Sequence, residues 1–181
     1  MGRNIPVDTM TQLRLHGATL WLETYGIPDG KFWRFLVHDL PHLQRYIVRD
    51  VDSRLSRRET EGVQEWIDKD TRLHVMRDHP WHYAPMLGGM WGLKKEPKDF
   101  NMTHKILTWI ANNPTGGNQK FLAEEVWNST GSKTVHDSCG TFDGLRNWPT
   151  NGQDFVGEYI GIDGSNTNEH RQMRLDYLAK S

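Results

Sequence analysis

The chain has 181 residues, a formal net charge of -1 and one cysteine, Cys139. That length suits one domain with a real core, so we expect a single domain over residues 1–181. The balanced charge gives no basic excess for nucleic acid, no apolar run is long enough to span a bilayer, and an internal disulfide is impossible.

The opening residues lack the apolar segment of a signal peptide. With the lone cysteine this leads to an expected cytoplasmic location, in the host cytoplasm if the protein is viral. Sequons at Asn101 and Asn128 are therefore read as chance. Eight tryptophans and nine histidines are many for this length. They suit a site for a polar, ring-shaped ligand, although most tryptophans are expected in the core.

In chain order, residues 9–17 read as a short helix ended by Gly17, a residue that tolerates a left-handed C-cap. Residues 18–23 read as a strand. Residues 30–40 read as a helix with Phe32, Phe35 and Leu36 on one face. The next strand is "RYIVRD", at 45–50. Ser56 with Glu59 forms a capping box that opens a helix with Val63, Trp66 and Ile67 as its apolar stripe. "RLHVMRD" is again a strand. Met102, Ile106, Trp109 and Ile110 mark an amphipathic helix. "NQKFLAEEVW" reads as a helix, "KTVHDS" as a short strand and "NEHRQMRLDYLAK" as a closing helix, after loops from Gly140 onward. Alternating strands and helices predict an α/β fold with a mostly parallel sheet. Ligands of such sheets gather at the carboxyl ends of the strands.

Asp50 and Asp52 stand at such an end. Residues two apart in a strand point the same way, so both carboxylates would converge on one cation. Paired oxygens suit Mg2+ or Mn2+ shared with a substrate's phosphates. A bare D-x-D is common, and its bland alternative is a solvated turn. The second candidate segment is "HVMRDHPWHYAPMLGGMWGLK", residues 74–94. Its consecutive glycines, Gly88 and Gly89, allow a ligand close to the backbone. Arg77 offers a planar fork to phosphate or carboxylate. The alternative is a tight loop supported by hydrogen-bonded histidines. His136 ends the strand "KTVHDS" and would complete a mixed nitrogen and oxygen set that Mn2+ accepts.

In order, "RDVDSRLSRRE", "EWI", "HVMRDHPWHYAPMLGGMWGLK", "NQKFL", "VHDS" and "FVGEYI" resemble a family of GT-A-type glycosyltransferases found in bacteria and large viruses. The similarity spans roughly residues 4–160. It implies a GT-A-like fold, N-terminally short, and transfer of a sugar, of hexosyltransferase type, from a nucleotide-sugar donor to a glycan or other hydroxyl acceptor. By this resemblance Asp50 lies toward ribose and metal, Asp52 binds Mn2+ or Mg2+, and His136 completes the metal shell. Arg49, Asp50, Arg77, Gly88, Gly89, Met90, Trp91 and Lys94 would line the donor. The cation would offset charge on the leaving diphosphate.

The chain departs from this family in two places. Relatives carry an acid before "Q-x-F-L", where this chain has Asn118, and an amide cannot accept a proton as a general base. Asp78 or Asp137 would have to substitute. The usual opening strand that helps bind the nucleotide base is also lacking. The alternative expectation is therefore a weakened, virus-encoded GT-A-like binding or structural protein, which Asn118 and the short N-terminus favour. A metal-dependent phosphatase of the haloacid-dehalogenase type ranks last, because Arg54 stands where that family has Thr or Val.

Overall fold

The computed structural model describes residues 5–21, 25–150, 154–160 and 168–180. Four strands form one sheet: β1 (Arg45–Arg49), β2 (Leu73–Arg77), β3 (Met90–Lys94) and β4 (Lys133–Asp137). Their spatial order is β1-β3-β2-β4. β3 is antiparallel to both β1 and β2, and only β2 and β4 form a parallel pair.

The α/β class is therefore observed, but the sheet is mixed rather than mostly parallel. β1 and β2 run the same way, as the helix between them requires. They are not neighbours, because β3 returns between them. The loop preceding β3 is thus the outgoing half of a reversal, a non-local pairing that strand–helix alternation does not reveal.

Helices cover both faces. Before β1 come α1 (Val7–Leu15) and a 3-10 helix (Gly30–Asp39). Residues 18–21 form no strand, and the rest of the strand expected there, Leu22 and Glu23, lies outside the described residues. α2 (Arg57–Lys69) joins β1 to β2, and α3 (Met102–Asn112) follows β3. α4 (Asn118–Phe121) continues into a π-helical turn, Leu122–Trp127. α5 (Asn168–Ala179) closes the chain. Among the described residues no helix is long and apolar enough to cross a membrane.

The alternation of side chains along each strand sends two different sets to the two faces. Tyr46, Val48, Leu73, Val75, Trp91 and Leu93 pack with Phe32, Phe35, Ile106, Trp109 and Phe121 in the larger core. Phe35 meets Trp91 edge-on at 5.6 Å between ring centroids. On the other face Met76, Leu87, Met90 and Val156 form a smaller cluster with Val63 of α2 and Trp148. Seven of the eight tryptophans are buried or packed against these layers, and only Trp81, 52% exposed, is not.

Gly92 explains a glycine inside a strand. A β-carbon there would come within 2.8 Å of the Tyr46 carbonyl and 3.1 Å of the Trp66 ring. Its bare backbone is what lets Trp66 of α2 lie on the sheet. Helix termini follow local chemistry: Ser56 accepts from the Glu59 amide at 3.2 Å, and Asn101 accepts from the His104 amide at 2.7 Å.

Candidate functional site

β1, β2 and β4 end at one edge of the sheet, where β3 begins; Arg49 lies opposite Met90, and Arg77 opposite Asp137. Asp50 leaves β1 into a turn closed by the Ser53 amide on the Asp50 carbonyl, at 3.2 Å. The turn is pinned from outside by a later segment. The Ile160 amide donates to the Asp52 carbonyl at 2.8 Å, and the Arg54 amide to the Glu158 carbonyl at 3.0 Å. Ser53 and Tyr159 form an antiparallel bridge. Asp52 is exposed in this turn.

Three other parts of the chain meet beside Asp50. A β-carbon on Gly89 would stand 2.1 Å from Asp50 Oδ2, and one on Gly88 would stand 2.9 Å from Asn118 Nδ2 and 3.7 Å from Arg34 Nη1. Both glycines are buried. Arg34, from the 3-10 helix, donates Nη1 to Asp50 Oδ1 as an ion pair. Asn118 is the first residue of α4 rather than its cap; Gly117 is the N-cap, and no side chain bonds that end. The amide of Asn118 therefore lies against the glycine pair instead of serving the helix terminus.

Other predicted site residues are engaged elsewhere. Arg49 pairs with Glu59 and donates Nη1 to the Val48 and Trp91 carbonyls at 2.7 and 3.1 Å, so its guanidinium ties α2 to the sheet. Arg77 is fully buried and bonds Asp137 at 2.7 Å and Asp143 at 3.0 Å. Met90 and Trp91 lie in β3, buried in opposite cores. Lys94 pairs with Asp70 at the other end of β3, opposite Arg45. A five-residue strand puts it roughly 13 Å from Met90.

The two substitute bases are saturated. Asp78 accepts from Arg58 at 2.7 and 3.0 Å, Arg174 at 3.0 Å, Ser138 Oγ at 2.5 Å and the Val156 amide at 3.0 Å. Burial raises its carboxyl pKa, but the Arg58 hydrogen bonds, the Arg174 and Arg58 charges and Ser138 together hold it below the ordinary value. Asp137 accepts from Arg77 Nε at 2.7 Å and from the Cys139 and Gly140 amides at 2.9 and 2.7 Å. Both carboxylates are fully buried.

His136 does not join the acids. Its Nδ1 meets His74 Nε2 at 3.0 Å and its Nε2 meets Glu65 at 3.1 Å. Burial lowers its pKa against the pull of Glu65. Burial, then His136 and Arg49, push His74 down to about 2. β3 and β2 separate β4 from β1, which is about 14 Å at ordinary strand spacing. The spacing of a third ligand along the sequence said nothing of that separation.

Among the described residues, no group of three or more His, Cys, Asp and Glu converges to hold a metal. Asp50 and Asp52 nevertheless fit a hard cation in donor chemistry. They supply carboxylate oxygens, and Mg2+ characteristically takes one or two carboxylates with substrate phosphates and water. Both acids lie in the turn after β1, so strand alternation does not set their direction, and Asp50 itself covers the bare face of Gly89. Arg34 was missed from sequence; it sits between the core-facing Phe32 and Phe35, and no local pattern links it to an acid 16 residues on.

The chain matches no family model, and no curated protein or solved structure is significantly similar to it.

Proposed function

We propose that this edge binds a nucleotide-sugar through a divalent cation and transfers the sugar to a glycan or other hydroxyl acceptor. The observation that carries the reading is the meeting of Asp50, Gly88, Gly89 and Asn118, from three separate parts of the chain, at the carboxyl end of β1. These are residues on which the resemblance to GT-A-type glycosyltransferases rests. Asp50 and Asp52 would hold Mn2+ or Mg2+, which would supply Lewis-acid charge for the leaving diphosphate. The bare glycines let Asp50 and Asn118 pack against the loop before β3, and Asn118 would face the acceptor.

A second reading is a nucleotide-sugar-binding protein with weakened transfer. It is favoured by the chemistry of the base. Asn118 cannot take a proton, and Asp78 and Asp137 are buried under arginine and amide donors. Calorimetry with Mn2+ and UDP or GDP tests what the two readings share, and release of nucleoside diphosphate from a bound donor separates them. Coupled binding with turnover supports the transferase, and coupled binding without turnover supports the second reading. No coupled binding with any nucleoside diphosphate removes both.

A further inference from the structure

We propose that Arg34 is a phosphate-positioning residue that holds Asp50 until cation and diphosphate arrive together. The inference rests on the reading of this edge as a metal-assisted diphosphate site. Arg34 reaches across from the 3-10 helix and pairs with Asp50 Oδ1, while Oδ2 faces Gly89. Among the described residues Asp50 is its sole ion-pair partner, and the two side chains are 33% and 40% exposed. The guanidinium is therefore not locked as Arg77 is, and solvent reaches it beside Asp50. A β-carbon on Gly88 would lie 3.7 Å from Nη1, with the Asn118 amide nearer still at 2.9 Å.

Charge dictates the consequence. A divalent cation on Asp50 would compete with Arg34 for one carboxylate and would repel it at close range. A diphosphate removes the conflict, because it gives the guanidinium a new anionic partner beside the cation. Arginine suits that exchange, since its planar fork matches phosphate as well as carboxylate. Cation and diphosphate thus bind with positive coupling, and by linkage each strengthens the other by the same factor.

The test is calorimetry of Mn2+ alone, UDP alone and Mn2+ with UDP, with GDP in parallel, on the wild type, Arg34→Gln and Arg34→Lys. In Arg34→Gln, Mn2+ alone should bind at least threefold more tightly. UDP at saturating Mn2+ should bind about tenfold more weakly, the scale of one charge-assisted hydrogen bond. Arg34→Lys should keep part of the coupling, because it retains charge without the fork. Melting curves establish that each variant folds. Unchanged affinities in a folded Arg34→Gln overturn the role of Arg34 while the site reading stands. Wild type that binds Mn2+ and UDP independently overturns that role and the site reading together. Wild type that binds neither diphosphate with Mn2+ overturns both.

Discussion

Gly89 lies against Asp50 so closely that a β-carbon would stand 2.1 Å from its Oδ2 and 2.8 Å from its backbone nitrogen. The requirement is spatial, since Gly89 is not among the glycines of positive φ. Gly89→Ala must therefore move the acid, the loop or both. We expect a stability loss of about 1–3 kcal/mol, as for other overpacked sites. Binding of Mn2+ with UDP should fall at least tenfold. Urea titration and calorimetry on the same preparation check both, and undiminished binding would restrict the glycine to a role in the turn.

Asp52 gives the complementary case. It is exposed, and the contact that fixes its place uses the backbone carbonyl. Asp52→Ala should change stability by less than about 0.5 kcal/mol. On the proposed function it should nonetheless abolish the coupling of Mn2+ to UDP. Retention of that coupling would show that the cation, if bound, does not use this acid.

Asn118→Asp restores a carboxylate without disturbing a cap, because the cap is Gly117. If this position serves the acceptor hydroxyl, release of nucleoside diphosphate should rise about 100-fold, the ordinary contribution of a general base. Donor affinity should change little. A folded variant with bound donor and acceptor but no gain would remove Asn118 from the mechanism.

Asp78 should govern acid stability. Its folded carboxyl is held below the ordinary value, so its contribution is complete above the unfolded pKa, about 3.9. The contribution is lost as pH falls through the lower folded value. Wild-type urea midpoints should therefore drop on going from pH 5 to below pH 4. Asp78→Asn leaves Arg58 and Arg174 facing a neutral amide and should cost about 3–5 kcal/mol at pH 7. Its acid-side decline should be shallower, which parallel titrations would measure.

Much of the architecture is legible because apolar residues repeat at the helix or strand period. β1, α2 and α3 are of that kind. β3 is not, because Gly92 reads as a loop residue until Trp66 is seen lying on it. The capping box is legible only in half: Ser56 receives the Glu59 amide, but the Glu59 side chain goes to Arg49. Site chemistry shows the same limit. Arg77, Asp78 and Asp137 are charged residues at strand ends, a pattern shared by ligand-facing groups and by buried ion pairs. Only the fold reveals that their partners are one another, Arg58 and Arg174. Arg34 fails in the opposite sense: it looks like a solvated helix residue and reaches the edge only through tertiary placement.

The partners of Asp78 also bear on how the chain acquires its structure during synthesis. Arg58 precedes it, but Ser138 and Val156 come much later and Arg174 follows by 96 residues. A growing chain thus presents this carboxylate long before its last cation exists. Until then the acid keeps its water, because burying it with incomplete pairing is costly. The end of β2 can seal only after residue 174 has been made. Apolar layers around Trp91 need no such late arrival beyond the π-helical turn at Leu122–Trp127. Translation therefore supplies the apolar core first and completes the charged edge last.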